Sequence, residues 1–187
     1  MGNPLIVSNA TKLRSVYNDL NKLQNSIVNL YWSVFSTNQG FNDIFTDQFD
    51  TQDGIDQTYS NYIFDSTNKC LIKPSLTNLV LVTKTWECSQ INPNRAFTVI
   101  EIETVDEIQL GVDVTIKMST DSGLHYTELT PLEIYQTVDI SDYNKLYFIR
   151  GDISTLPQLD NNQIKTMVTC SLTKNIKLHG VASGVSY

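Results

Sequence analysis

The sequence predicts a mainly β protein, an N-terminal α-helical coiled coil followed by an antiparallel, jelly-roll-like β-sandwich. Three observations lead there. Leu13, Val16, Leu20, Leu23, Ile27, Leu30 and Val34 follow one another at steps of 3, 4, 3, 4, 3 and 4 residues, which is the a/d seam of a heptad repeat. Downstream, short apolar runs recur between turn signals, with no helical period between them. Within one of these runs, Val112–Met118 alternates apolar and polar residues, as a strand with one buried face does.

The chain divides into an extended arm at 1–9, a coiled-coil segment at 10–38 and a β-sandwich at 41–187. Pro4, Leu5, Ile6 and Val7 give the arm a short apolar run. Ser8 or Asn9 caps the helix by accepting from the free amides of its first turn. The helix runs from about Ala10 to Phe35 and stops before Gly40, because Ser36-Thr37-Asn38-Gln39 has no apolar period.

The seven seam residues are the oligomerisation candidates. The flanking e and g positions, Tyr17, Asp19, Gln24, Ser26, Tyr31 and Ser33, carry almost no opposite-charge pairs, so self-association is expected. The a positions mix Leu, Ile and Val, and Tyr17, Val28, Tyr31, Trp32 and Phe35 widen the stripe. That width favours a homotrimer, or a helix packed on its own β domain. Tyr31, Trp32 and Phe35 are read as the splice between stem and head.

Residues 41–74 form an acidic segment containing Phe41, Ile44, Phe45, Phe49 and Ile55. Strand-like runs follow at Leu79–Val82, Phe97–Thr104, Val112–Met118, Leu146–Ile149, Thr166–Leu172 and Ile176–Val181. Asn92-Pro93-Asn94, Asp121-Ser122-Gly123 and Leu156-Pro157 punctuate them. This spacing suits a sandwich rather than a parallel α/β sheet.

Composition narrows the partners. The net charge is −7, with 13 Lys and Arg against 20 Asp and Glu, and no basic patch exists to hold a phosphate backbone. Nucleic acid is not expected as a partner. No apolar run reaches the roughly 18 residues of a membrane span, so no membrane partner is expected. The start lacks the basic region of a signal peptide, and Ile6 stands where a myristoylation signal needs a hydroxyl. Cys70, Cys88 and Cys170 are odd in number and widely spaced, arguing against a disulfide framework and for a reducing cytoplasm as the place of synthesis.

The β region resembles a recurrent jelly-roll-type module of tailed-phage virion proteins. Three stretches carry the resemblance. Asp47-Gln48-Phe49 through Gly54-Ile55-Asp56 and Ser60-Asn61-Tyr62-Ile63-Phe64-Asp65 is similar to the opening segment of such modules. Ser119-Thr120-Asp121-Ser122-Gly123-Leu124-His125-Tyr126-Thr127 resembles their Ser-Arg-Asp-Gly-Gly-Thr-x-Trp-Thr hairpin, with Thr120 and Ser122 replacing the Arg and first Gly and Tyr126 standing for the Trp. Ile176-Lys177-Leu178-His179-Gly180-Val181 is similar to their closing strand. The resemblance implies a non-enzymatic virion component such as a head fibre, decoration protein or tail-fibre part, contacting other capsid or tail proteins, with the arm residues Pro4, Leu5, Ile6 and Val7 as its attachment to the particle. A tail-fibre or receptor-binding module that recognises host-surface glycan is the alternative.

Chemistry is sparse. Asp43, Asp47, Asp50, Asp53 and Asp56 form the densest carboxylate cluster, but the spacing is not that of a calcium loop. A solvated turn is expected, with Gly54 at positive φ, and no metal site is assigned. Glu101 and Glu103 share one strand face, a spacing open to a glycosidase pair but equally that of a solvent-facing strand. His125 and His179 lie 54 residues apart, too few and too far for a confident metal set. His125 is expected in an exposed hairpin loop and His179 in a hydrogen-bonded strand position. No Gly-x-Ser-x-Gly elbow or phosphate loop occurs. The expectation is therefore no enzyme, no catalytic residue and no cofactor. Trp86 and Tyr126 are the candidate glycan contacts, with Trp86 read first as core.

Overall fold

The computed structural model describes residues 41–139, 145–153, 155–157 and 161–187. The arm and the heptad seam lie outside the described residues. What is described is mainly β, arranged as two antiparallel sheets. The larger sheet holds β1 (Asp43–Asp47), β2 (Ile63–Asp65), β3 (Cys70–Ile72), β6 (Arg95–Thr104), β9 (Leu132–Asp139), β10 (Lys145–Ile153) and β12 (Ile176–Ser186). Its order is β2-β3-β12-β6-β10-β9, with β1 also paired to β12. The smaller sheet holds β4 (Leu79–Val82), β5 (Trp86–Glu87), β7 (Val114–Ser119), β8 (Thr127–Glu128) and β11 (Gln163–Cys170). Its order is β4-β11-β7-β8, with β5 on the start of β11.

Side-chain period explains most of the packing. In β7, Val114, Ile116 and Met118 face the core, while Thr115 and Lys117 are partly exposed, as the alternation predicts. Val112 itself lies in the preceding turn and is exposed, so the strand starts two residues later than expected. In β6 both faces are covered. Ala96, Ile100 and Ile102 join the main core, while Phe97 and Val99 form a second cluster with Phe41 and Ala182, against which Phe148 packs half-buried. Glu103 is buried on that second face and Glu101 is half-buried, so the solvent-facing reading of this strand is corrected. A strand in the middle of a covered sheet shows no clean alternation.

A chain of hydroxyls ties the two sheets together inside the core. Ser183 on β12 lies 3.0 Å from Thr98 on β6 and 2.8 Å from Thr166 on β11. The Thr166 amide donates to Thr83 Oγ1 at 2.9 Å. Each hydroxyl of this chain finds a partner, so the desolvation penalty of leaving it unpaired is avoided.

The acidic segment that carries the opening motif is an edge rather than a free loop. The Asp56 amide donates to the Val82 carbonyl, the Lys84 amide donates to the Gly54 carbonyl, and Asn61 exchanges two backbone bonds with Val80. Phe49 and Ile55 are fully buried. The result lays residues 54–61 alongside β4 and plugs the sandwich with two large apolar side chains. Gly54 is not at positive φ, contrary to expectation; the left-handed residues of this segment are Phe49 and Lys69, both at φ 53°.

Candidate ligand-contact surface

Three pieces of chain converge at one end of the smaller sheet: the 52–59 segment, the start of β11, and the turn from β7 into β8. The turn is built by Ser119 and Asp121. Ser119 Oγ accepts from the amides of Asp121 and Gly123 at 3.2 and 2.8 Å and donates to Asp121 Oδ1 at 2.7 Å. Asp121 Oδ1 also accepts from the His125 amide at 2.9 Å, and Oδ2 lies 2.6 Å from His125 Nδ1. Burial would raise the Asp121 carboxyl, but these bonds outweigh it and hold the group at about 2. Ser122 and Gly123 adopt positive φ, 63° and 95°, as Ser-Gly in a tight turn allows. The turn thereby presents the His125 side chain, 79% exposed, and Leu124 outward.

Lys165 crosses beneath this turn. A Cβ at Gly123 would lie 3.1 Å from Tyr126 Oη and 3.2 Å from Lys165 Cδ, so both side chains converge under a residue that has none. The Lys165 ammonium donates to Asp56 Oδ2 at 2.6 Å and stands 5.1 Å from the centre of the Tyr59 ring. That ion pair lowers the Asp56 carboxyl, while burial and then the neighbouring Asp56 and Asp121 charges raise the Tyr126 phenol. Tyr59 is 67% exposed, so its ring is an open aromatic plate steadied by a cation at its side.

Beside the plate runs an open cleft of about 620 Å³, lined by Gln52, Asp53, Asp56, Thr58, Lys84 and Thr85 among others. Thr85 Oγ1 lies 3.2 Å from Ser122 Oγ, which joins the cleft to the turn. The lining offers amides, hydroxyls, two carboxylates and one ammonium. Such a surface forms many hydrogen bonds while carrying little positive charge.

The residues singled out from sequence fall in different places. Tyr126, His125 and Asp56 belong to this surface. Trp86 does not expose a stacking face there: it is half-buried against the core and stacks on Phe45 at 6.1 Å, and its buried Nε1 has no hydrogen-bond partner among the described residues. The carboxylates of Asp53 and Asp56 are spent separately, and at Asp50 the bond is to the backbone. The Asp50 carbonyl accepts from Lys69, Asp53 from Thr51, and Asp56 from Lys165. Among the described residues no group of three His, Cys, Asp or Glu is placed to hold a metal ion.

Glu101 and Glu103 lie on the other side of the molecule, on the outer face of the larger sheet. Glu103 accepts from Lys177 at 2.7 Å and lies 3.0 Å from His179 Nε2. Burial would raise its carboxyl, but those partners lower it. Burial raises Glu101 to about 7. The hollow beside Glu101, between Thr46, Gln48 and Gly180, has room for about one water, near 10 Å³. No sugar ring fits it. Tyr59 and Lys165 were missed in the sequence, and nothing local distinguishes them: Lys165 meets Asp56 across 109 positions.

No protein-family profile matches the chain, and no curated protein matches it in sequence. Among solved structures, it is similar to a family 29 carbohydrate-binding module complexed with cellulohexaose, at 10% identity and TM-score 0.38, over 76% of this chain and 92% of that one. It is also similar to the C-terminal CBM6 of a laminarinase from Zobellia galactanivorans, at 6% identity and TM-score 0.37, over 76% and 99%. A family GH115 4-O-methyl-α-glucuronidase aligns at 12% identity and TM-score 0.38, over 74% of this chain and 17% of that one. The chain thus spans under a fifth of that hydrolase. Scores this low carry no argument about ligand or chemistry.

Proposed function

We propose that this chain is a non-catalytic recognition module whose sandwich binds a neutral, hydroxyl-rich glycan across Tyr59, Lys165, Tyr126 and the Asp121–His125 turn. The observation that carries this reading is the Tyr59 ring, open to solvent and flanked by polar groups already fixed by hydrogen bonds. A sugar presents an apolar face of C–H groups and an edge of hydroxyls, and an aromatic plate bordered by carboxylates and amides complements both. The Lys165 charge is already engaged by Asp56, and Asp53, Asp56 and Asp121 would repel a polyanionic polysaccharide. The cleft volume, about 620 Å³, falls within the roughly 300–1,000 Å³ of ligand pockets.

Titrating the full-length chain against purified bacterial surface polysaccharides, neutral and anionic, tests this reading. Saturable binding to a neutral glycan without release of reducing ends is expected. Release of reducing ends, or binding confined to anionic polymers, contradicts it.

A second reading places the module on a tailed-phage virion as a homotrimeric head fibre, decoration protein or tail-fibre part. Its support is the sequence resemblance alone; the residues that carry it serve the architecture of the sandwich, where Phe49 and Ile55 fill the core, Ser60 Oγ accepts from the Val82 amide, and Gly180 lets the backbone of β1 pass close by. The heptad seam supports the trimer. The two readings are compatible, since a projection from a particle can carry a glycan-binding head.

A further inference from the structure

We propose, resting on the glycan-binding reading above, that the sugar bound at this surface carries an N-acetyl group, whose carbonyl oxygen accepts from Tyr126 Oη and the Lys165 ammonium. The ligand class is then a neutral glycan containing an N-acetylhexosamine. A surplus of hydrogen-bond donors, gathered at one spot of a surface otherwise rich in carboxylates, is what singles out an acyl carbonyl.

Lys165 is 7% exposed, and its ammonium has N–H donors to spare. Among the described residues only the Asp56 carboxylate accepts from it, at 2.6 Å, while the Tyr59 ring centre lies 5.1 Å away. Donor capacity left over in a nearly buried group is costly unless a ligand or water meets it. Tyr126 is half-buried beside this lysine, and its hydroxyl has no hydrogen-bond partner among the described residues. Burial, and then the Asp56 and Asp121 charges, raise the phenol, so it keeps its proton and donates. Gly123 stands over both groups at φ 95°. A Cβ there would lie 3.1 Å from Tyr126 Oη and 3.2 Å from Lys165 Cδ, and this residue supplies no side chain to cover the phenol.

A carbonyl oxygen has two lone pairs and no proton of its own, so it can accept from both donors at once. A sugar hydroxyl must also place its proton. A carboxylate is the stronger acceptor, but Asp56 and Asp121 already act on this phenol and oppose a further negative charge. The amide of an N-acetyl group adds an N–H, and Asp56 matches it. That carboxylate accepts from the Thr58 amide at 3.1 Å and from Lys165, and keeps acceptor capacity beyond them. An O-acetyl ester has no such N–H. The acetyl methyl is apolar and suits the exposed Tyr59 ring.

The test is calorimetric titration of the full-length chain with matched neutral oligosaccharides. Cellotriose beside tri-N-acetylchitotriose, and lactose beside N-acetyllactosamine, differ only in acetamido groups for hydroxyls. In at least one pair the N-acetylated member is expected to bind about tenfold tighter, the effect of one charge-assisted hydrogen bond. In Tyr126→Phe that preference should fall to about threefold or less, with the unfolding midpoint unchanged. A preference left intact in Tyr126→Phe overturns the assignment of the carbonyl to this phenol. Saturable binding confined to neutral glycans that lack N-acetyl groups overturns the proposal and leaves the glycan reading standing. No binding to any neutral glycan overturns both. The ligand comparison uses the native chain, so it decides the matter even if the variant folds poorly.

Discussion

Gly54 lies directly against the Asp47 carboxylate, so closely that a Cβ there would sit 2.0 Å from Oδ2. The carboxylate cannot easily swing aside, because Oδ1 accepts from the Phe49 amide at 2.8 Å and Oδ2 is buried. Close approach, not a left-handed backbone, is what this glycine supplies. Gly54→Ala is therefore expected to lower unfolding stability by about 1–3 kcal/mol, measured by denaturant titration. An unchanged midpoint would show that Asp47 relaxes freely and would remove this account of the opening motif.

Lys165 and Asp56 hold the 52–59 segment onto the smaller sheet through a 2.6 Å bond, with their side chains 9% and 19% exposed. Lys165→Met leaves a poorly solvated carboxylate and should cost about 1–3 kcal/mol at pH 7. Asp56→Asn should cost less, because an amide still accepts a hydrogen bond. The double variant should lose about 0.5–3 kcal/mol less than the sum of the two. Additive losses would mean that the pair contributes nothing beyond its separate packing.

Glu101 gives stability a pH dependence of known sign. Its carboxyl is raised by burial from 4.5 to about 7. Below pH 4.5 it is protonated in both folded and unfolded chains, and burial costs no charge. From pH 4.5 to 7 the unfolded chain releases this proton more readily, so stability falls as pH rises, by up to about 3 kcal/mol. Above pH 7 the loss is complete and flat. Glu101→Gln should be the more stable protein at pH 8 and hold no advantage at pH 4.5, read from unfolding midpoints at both values. A variant with the same advantage at both would place the effect in packing rather than charge.

What the sequence disclosed follows from range. Val114, Ile116 and Met118 alternate within six residues, and β4 (Leu79–Val82) is an unbroken apolar run, so both were legible locally. β5 and β8 hold two residues each, too few for any period to register. They exist because β11 and β7 offer edges to pair with. β1 was hidden among acidic residues: Asp43 is spent on the Ser89 amide and the Tyr187 hydroxyl, partners far along the chain. The same reason divides the candidate surface. The Asp121–Gly123 turn and Tyr126 could be read from local chemistry, whereas Tyr59 and Lys165 become a site only once β11 passes beneath the turn.

The most direct measurement is the affinity of the full-length chain for a neutral oligosaccharide, by calorimetry, beside its Tyr59→Ala variant. Tyr59 is 67% exposed, so its truncation should leave unfolding stability within about 0.5 kcal/mol. The account predicts at least a tenfold weaker affinity for the variant, about 1.4 kcal/mol, with an unchanged unfolding midpoint. Equal affinities for the two proteins would contradict the assignment of this surface.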